Sequence, residues 1–377
     1  MITKITNGKV LVNGAFSDTD VYFRDNKIIS IGDSIPYDVC IDAEGNYVTA
    51  GFVDLHCHGG GGADFTDGTV EAVRTATLTH LKCGTTTLFP TVLSADTSVL
   101  EKALDTIDSV RKTLPSLADT HIEGPYFSPS QTGAQNPDAL RTPQKSEYDK
   151  FLKKYKIARW DYAPEMDKDY EFLNALLEAG VTPSAAHTDA DADTMLNAAE
   201  RGCRLVTHLY SCTSTIRREK GFRIAGVLEA TYLSDDIAAE LIADGCHLPN
   251  TLLRLAYKQK GPDMLVLVTD GMRAAGTDTQ GECNIGGVPC FIEDGVAKLR
   301  DRSAFAGSIA TADRLLRTVV NAGIPLADGV KMMTETPARI MGLRNKGKIE
   351  VGMDADIVIF NADINIKHIL LQGEFVV

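Results

Sequence analysis

Two histidines at the end of an apolar segment are the first residues in this sequence that could do chemistry. His56 and His58 follow Val53 and Leu55, which alternate with polar residues, and four glycines at 59–62 come directly after them. Such alternation indicates a strand, in which residues two apart point to the same face. The two imidazoles therefore lie side by side, and imidazole is the most common metal ligand in proteins. Alone, the pair predicts at most half a metal site, because polar residues also close strands without binding anything.

Further imidazole and carboxylate groups follow other predicted strands. They are Glu123, His187, His208 and Asp270. Six such groups on one rim, if left unpaired, would each cost several kcal/mol of desolvation, so we interpret them as metal ligands. These nitrogen and oxygen donors suit Zn²⁺ or Fe²⁺ better than Mg²⁺ or Ca²⁺. Because six ligands exceed the need of one tetrahedral ion, we predict one or two ions, with Glu123 as the bridge between two and Asp270 facing the reacting water.

The strands that carry these residues alternate with helices along most of the chain. We predict eight of them, at about 48–56, 85–89, 119–123, 157–163, 181–187, 204–209, 237–243 and 265–270. This alternation is typical of a (β/α)8 barrel, which we place at residues 50–343, and the active sites of such barrels lie at the carboxyl ends of the strands. An open doubly wound sheet is the second interpretation, but no G-x-G-x-x-G motif follows a strand here.

Both ends of the chain are rich in predicted strands. Residues 1–49 and 344–377 flank the barrel, and we expect them to pair into one small β-sandwich domain. The glycine-rich segment 283–300 is predicted to be a hairpin inserted in the barrel, and helices are predicted at about 309–322 and 326–342. The chain is thus predicted to hold one large α/β domain and one small β domain.

Composition and charge restrict the partners of the chain. A formal net charge of -13 argues against nucleic acid and anionic membranes, although a small anionic substrate needs only a local basic pocket. No apolar run approaches the ~20 residues of a membrane-spanning helix, and the first residues lack the apolar segment of a secretory signal. The eight cysteines form no C-x-x-C pair and are expected to be reduced thiols in the cytoplasm. The glycine run at 59–62 is not followed by Lys-Ser/Thr, so we do not interpret it as a phosphate-binding loop.

A set of short motifs extends over nearly the whole chain. The motifs are Gly51-Phe-Val-Asp-Leu-His-Cys-His-Gly-Gly-Gly-Gly, His121-Ile-Glu-Gly-Pro-Tyr, Gly133-Ala-Gln-Asn-Pro, Ala163-Pro-Glu, Thr207-His-Leu-Tyr, Arg218-Glu-Lys-Gly, Ala243-Asp-Gly-Cys-His, Ala306-Gly-Ser and Gly352-Met-Asp-Ala-Asp-Ile-Val. As a set they resemble the N-acetylglucosamine-6-phosphate deacetylase family of the amidohydrolase superfamily. The resemblance implies a metal-dependent enzyme that removes acetate from an N-acetyl amino-sugar 6-phosphate.

The resemblance also implies roles for individual residues. Asp270 would act as general base and then as general acid, and Gln135 would donate a hydrogen bond to the developing oxyanion. Arg218 and His247 would bind the phosphate. The other implied substrate-binding residues are Ser211, Cys212 and Ser308. In the family the loop near Arg218 reaches into the neighbouring subunit's site, which implies a homodimer.

Some positions differ from the family pattern. Gln135 stands where the family typically has His, and a Gln amide can donate a hydrogen bond but cannot carry charge. Ser211-Cys212-Thr213 stands where the family usually reads Asn-Ala-Met. Because these positions would touch the substrate, the sugar stays open: N-acetylglucosamine 6-phosphate is favoured, and N-acetylgalactosamine 6-phosphate or another N-acylated amino sugar is the alternative.

Two broader alternatives remain at this point. One is an amidohydrolase that acts on a different amide, for example a cyclic amide or a dipeptide. The pairing of Arg217 and Arg218 with His247 counts against it, as does Glu123 in place of the bridging Lys of other branches. The other is a non-catalytic relative, which we expect to have lost metal ligands, whereas all six candidates are present here.

Overall fold

Eight parallel strands form the centre of the fold in the computed structural model, which describes residues 1–376. In chain order these barrel strands are Phe52–Cys57, Thr85–Val92, Thr120–Glu123, Ile157–Tyr162, Thr182–Ala185, Leu205–Val206, Ala238–Ile242 and Leu265–Val268. Each strand pairs in parallel with the next, so the order in the sheet follows the order in the sequence. A parallel bridge between Cys57 and Gly271 brings the last strand back to the first. The predicted (β/α)8 barrel is therefore confirmed.

Helices surround the barrel. Their bounds are Val70–Leu81, Thr97–Arg111, Lys145–Lys154, Glu171–Glu178, Ala192–Glu200, Val227–Leu233, Asn250–Lys260, Ala312–Asn321, Leu326–Lys331 and Glu335–Ile340. Short 3-10 helices lie at Phe65–Asp67, Pro129–Gln131, Pro137–Ala139 and Pro164–Met166. The prediction of one helix over 326–342 was wrong, because the first helix ends at Lys331 and a second begins after Thr334, whose non-helical φ of -133° and ψ of -81° separate the two. The second helix then begins with Pro337 in its first turn, where a missing N–H does no harm.

Strands from both ends of the chain form two further sheets. One contains Lys27–Ile31, Val21–Arg24, Ile2–Thr6 and Val39–Asp42, and the other contains Glu374–Phe375, Ile366–Leu371, Ile357–Phe360, Tyr47–Ala50, Lys9–Val12 and Ala15–Asp18. Apolar residues such as Ile5, Val21, Val48 and Ile357 pack between them in one buried cluster. The limits of this domain at 49/50 and 343/344 stay a prediction.

Three loops of the barrel carry small sheets of their own, and the shortest pairs Gly59–Gly60 with Ala63–Asp64. The predicted hairpin at 283–300 is a three-stranded antiparallel sheet of Gly281–Ile285, Val288–Glu293 and Val296–Leu299. Its residues Ile285 and Cys290 pack against Leu93 and Met272, so the sheet covers one side of the barrel mouth. The third sheet, an antiparallel pair of Arg217–Glu219 with Phe222–Ile224, is largely exposed.

No helix in the described part of the chain is long and apolar enough to cross a membrane.

Candidate metal centre and substrate cavity

The ends of the barrel strands place the candidate ligands around one point. His56 lies inside the first strand and Glu123 ends the third. The residues that follow the fifth, sixth and eighth strands, namely His187, His208 and Asp270, adopt positive φ angles of 44°, 29° and 45°. Such backbone conformations cost roughly 1–3 kcal/mol each in a non-glycine residue and persist only where the surrounding structure holds them. The barrel thus holds these three residues in strained backbone conformations at the edge of the site.

The Glu123 carboxylate is the common neighbour of all four histidines. Its Oε1 atom lies 3.1 Å from the Nε2 atom of His208, 3.3 Å from that of His187 and 3.6 Å from that of His56. Its Oε2 atom lies 3.4 Å from Nε2 of His58. The structure therefore brings together the two predicted histidine pairs, with the predicted carboxylate between them.

Asp270 faces the first of these pairs. Its Oδ1 atom lies 3.1 Å from Nε2 of His58 and 3.5 Å from Nε2 of His56, and those two nitrogens lie 3.0 Å from each other. All these side chains are buried or nearly so. The six residues predicted as ligands therefore form one cluster at the carboxyl ends of the strands.

The geometry of the cluster fits divalent metal ions. Ligand atoms bound at about 2.0–2.1 Å to a tetrahedral ion lie about 3.3 Å apart. In two groups the donor atoms all lie within 4.8 Å of one another: His56, His58 and Glu123 form one group, and Glu123, His187 and His208 form the other. Imidazole and carboxylate donors of this kind suit Zn²⁺ and Fe²⁺. The donor set therefore has room for two ions that share Glu123.

The outer nitrogens of two histidines support this orientation. Nδ1 of His56 lies 3.3 Å from Oε2 of Glu240, and Nδ1 of His187 lies 2.8 Å from the carbonyl oxygen of Gln131. Metal-binding histidines usually donate their second N–H to such a carboxylate or carbonyl, which leaves the other nitrogen free to bind the metal. The corresponding nitrogens of His58 and His208 have no hydrogen-bond partner within residues 1–376.

Electrostatic shifts show how strongly these groups stabilise one another. Burial lowers the pKa of His58, but the nearby carboxylates of Asp270 and Glu123 outweigh it and raise that pKa to about 9. Burial raises the pKa of the Glu123 carboxyl, but the imidazole of His56 and its neighbours outweigh it and hold that pKa well below its usual value. A site in which carboxylates remain ionised and imidazoles attract protons also attracts a divalent cation.

A third group of possible ligands lies beside the first strand and makes hydrogen bonds within the chain. Asp54, Cys57 and His80 are buried close together. Both oxygens of Asp54 accept hydrogen bonds from Thr269, and Nε2 of His80 lies 2.9 Å from the carbonyl oxygen of Gly59. These bonds give the group a structural role, so we do not assign an ion to it.

Gln135 is held in one orientation beside the cluster. Its Oε1 atom accepts a hydrogen bond of 3.0 Å from the backbone N–H of Ser94, and its Nε2 atom donates one of 2.6 Å to Oε2 of Glu123. A Gln amide has two N–H donors, so one of them is left for another partner. Gln135 also lines the cavity above the cluster.

The cavity above the cluster combines polar and apolar walls. Besides the candidate ligands it is lined by Ser211, Cys212 and His247, and by the apolar residues Leu93, Ile285 and Phe305. His247 is oriented by Asp244, whose Oδ2 atom lies 2.8 Å from Nδ1 of the ring. The burial that raises the pKa of the Asp244 carboxyl is outweighed by His247, so that this pKa is lowered.

Two residues predicted to bind substrate lie outside this cavity. The hydroxyl of Ser308 accepts a hydrogen bond of 2.8 Å from the N–H of Ala310, and Ser308 does not line the cavity. Arg218 lies in the exposed strand Arg217–Glu219 and does not line the cavity either. Their predicted role in binding therefore has no contact in this chain to support it.

Sequence reasoning missed three charged residues directly below the cluster. Arg159, Asp161 and Glu240 are fully buried, and the guanidinium of Arg159 contacts both carboxylates. Burial raises the pKa of the Glu240 carboxyl, but Arg159 outweighs it and holds that pKa well below its usual value. A signal was present in the sequence, since Arg159 and Asp161 stand two apart on a predicted barrel strand and must share one face.

The fold and the donor set together define a metal-dependent hydrolase built on a (β/α)8 barrel. A protein-family model described as the amidohydrolase family matches residues 47–376, and the chain belongs to this family.

Several similar proteins are deacetylases of amino-sugar phosphates. An N-acetylglucosamine-6-phosphate deacetylase from Lysinibacillus sphaericus is 31% identical over 371 residues, which is 96% of this chain and 93% of that protein. An N-acetylgalactosamine-6-phosphate deacetylase from Shewanella sp. (strain ANA-3) is 31% identical over 334 residues, covering 87% of this chain and 82% of that protein. The crystal structure of N-acetylglucosamine-6-phosphate deacetylase from Pasteurella multocida superimposes with a TM-score of 0.93 at 27% identity, covering 100% and 99% of the two chains.

The spacing of the donor atoms predicts that the first histidine pair holds an ion of its own. Changing His56 to Gln and His58 to Asn together should lower the metal content by one ion per chain, because Glu123 would keep only His187 and His208 as partners. Elemental analysis of the purified protein measures this content. His368→Gln, in the sandwich domain, is the control and should leave it unchanged. An unaltered metal content in the double variant would contradict the assignment of these two residues as ligands.

Proposed function

We propose that this chain is a metal-dependent deacetylase of an N-acetyl amino-sugar 6-phosphate, with N-acetylglucosamine 6-phosphate as the favoured substrate. The observation that carries the proposal is the single carboxylate, Glu123, within 3.6 Å of four imidazole nitrogens and with Asp270 opposite. Relatives that cover nearly the whole chain are deacetylases of such sugars, which supports the same reaction here. The products would be the free amino-sugar phosphate and acetate.

Different residues of the chain would bind the metal and transfer protons during amide hydrolysis. A divalent ion, when bound, lowers the pKa of a coordinated water to ~7 and so supplies hydroxide at neutral pH. We propose His56, His58, Glu123, His187 and His208 as the ligands of one or two such ions, with Asp270 as a further contact. Asp270 would accept a proton from the attacking water at its carboxylate and pass it to the leaving nitrogen, the roles of general base and then general acid.

Gln135 is positioned to donate a hydrogen bond to the substrate. Its amide is fixed by Ser94 and Glu123, which leaves one N–H free to donate to the oxygen of the substrate carbonyl as negative charge develops there. The same residue holds Oε2 of Glu123, so it would also orient a metal ligand. Ser211 and Cys212, which also line the cavity, would contact the sugar.

The phosphate would need positive charge that the cavity of one chain does not supply. No Lys or Arg lines the cavity among the described residues, and His247 is its one imidazole outside the metal cluster. Arg218 lies on an exposed hairpin whose tip carries Phe222, 75% exposed. We propose that the chain forms a homodimer in the cytoplasm and that this hairpin supplies Arg218 to the partner's cavity, where the guanidinium would bind phosphate in a bidentate manner.

The first test is the reaction itself. The purified protein, loaded with Zn²⁺ or Fe²⁺, should release acetate from N-acetylglucosamine 6-phosphate and more slowly, or not at all, from N-acetylgalactosamine 6-phosphate. The relative that acts on the second sugar makes this the comparison to measure. Absence of acetate release from both sugars, with metal fully loaded, would refute the proposed function.

Gln135→His should raise the rate on N-acetylglucosamine 6-phosphate, because an imidazole can carry positive charge towards the oxyanion.

The role of Asp270 can be separated from metal binding. Asp270→Asn removes the proton acceptor but keeps the shape of the side chain, so kcat should fall by about 10²–10⁴-fold while the metal content stays close to that of the wild type. Asp278→Asn, on the exposed loop that follows, is the matched control and should keep full activity. If turnover survives in Asp270→Asn, another group transfers the proton.

The shared site predicts complementation between two inactive variants. Arg218→Ala and Asp270→Asn should each be nearly inactive alone, because every cavity then lacks one essential group. After the two proteins are mixed and their subunits exchange, some cavities contain both groups and acetate release should return. Light scattering gives the molar mass in parallel. A monomeric protein, or a mixture that stays inactive after proven exchange, would exclude the shared site.

A further inference from the structure

One of the fully buried charged groups beside the ligand cluster is Glu240, in the middle of the seventh barrel strand. Its side chain is 0% exposed. The Oε2 atom lies 3.3 Å from Nδ1 of His56 and accepts a 3.3 Å hydrogen bond from the backbone N–H of His208. One carboxylate oxygen therefore contacts both histidine pairs of the cluster from below, on the side away from the cavity.

The second oxygen of Glu240 is held by a buried arginine. Nη1 of Arg159 contacts Oε1, while its Nε and Nη2 atoms donate to Asp161 at 2.9 and 3.2 Å and Nη2 donates to Oγ1 of Thr207 at 2.6 Å. The guanidinium thus has partners on the fourth and seventh strands and directly after the sixth, and it cannot turn without breaking several hydrogen bonds. Glu240 is fixed from one side by this arginine and meets His56 on the other.

We infer that Glu240 is a positioning residue for the metal centre: it accepts the Nδ1 proton of His56 and so directs the unprotonated Nε2 atom of that ring towards the metal. A neutral imidazole carries one proton, and an acceptor at Nδ1 keeps that proton away from Nε2. Arg159 takes part indirectly, because it holds the carboxylate in place. This inference rests on the metal centre proposed above.

The arrangement requires a carboxylate at position 240. Arg159 presents N–H donors to one oxygen, and His56 and His208 present N–H donors to the other, so both ends of the side chain must accept. A Gln amide has one accepting and one donating end. Its oxygen would turn to the charged guanidinium, and its NH₂ group would then face Nδ1 of His56. The proton of His56 would move to Nε2, where it blocks metal binding.

The test is Glu240→Gln, with Asp161→Asn as the matched control. Both variants neutralise one buried carboxylate that contacts Arg159, but Asp161 makes no hydrogen bond to His56. Nitrogen NMR of the metal-free protein, with the His56 signals assigned through His56→Gln, reports which ring nitrogen carries the proton when the ring is neutral. We expect Nδ1 in the wild type and in Asp161→Asn, and Nε2 in Glu240→Gln.

Metal affinity is the second readout. Chelator competition with Zn²⁺ should show the ion of the His56 pair bound about 10–100-fold more weakly in Glu240→Gln, and close to wild type in Asp161→Asn. Equal losses in both variants would indicate a general effect of the buried charges and would overturn the inference, as would an unchanged proton position in Glu240→Gln. If Glu240→Gln does not fold, a proton on Nε2 in the wild type would be sufficient to reject the inference. The NMR result does not depend on acetate release, so failure of the proposed reaction is distinguishable from failure of this inference.

Discussion

The attraction between the Glu123 carboxylate and the imidazoles around it is the interaction on which the site depends. Glu123 is 2% exposed, and a carboxylate buried to this extent is stable only with partners of positive charge or with hydrogen-bond donors. Four imidazole nitrogens and the Gln135 amide supply those partners. A divalent ion between these groups would neutralise the excess of negative charge, so residues that are costly to bury without metal would be well suited to bind one.

The barrel architecture brings these charged side chains together. All parallel strands end at the same rim of the barrel, so residues far apart in the sequence lie close together there. His187, His208 and Asp270 each follow a short strand and turn inwards through a left-handed backbone conformation. Neighbouring hydrogen bonds hold them, for example from the N–H of His208 to Glu240 and from the N–H of Asp270 to the carbonyl of His56. Hydrogen bonds to Glu240 and to the first strand thus stabilise the strained backbone conformations of His208 and Asp270.

Local patterns predicted the parts of the site that depend on one strand at a time. The His56 and His58 pair follows from alternation within a single strand, and the ends of the other strands follow from the general architecture of a barrel. The contact of His56 with Glu240 joins positions 184 residues apart, and no pattern within either strand reveals it. The hydroxyl of Ser308 accepts a hydrogen bond from the N–H of Ala310, and Arg218 lies on an exposed hairpin. Both placements depend on loop conformations that residue types alone do not determine.

The buried charges of Arg159, Asp161 and Glu240 are explained better by the proposed metal centre above them than by stability. Barrel interiors are usually filled by branched apolar residues, and replacing a buried ion pair by such residues is often neutral or stabilising by about 1–4 kcal/mol. Stability therefore does not account for three charged side chains at 0% exposure. A fixed acceptor below His56 does account for them, because an apolar layer could neither choose the protonated nitrogen of that ring nor hold the backbone of His208. The barrel has ion pairs in place of apolar packing in this layer, and these would fix the orientation of His56 as a metal ligand.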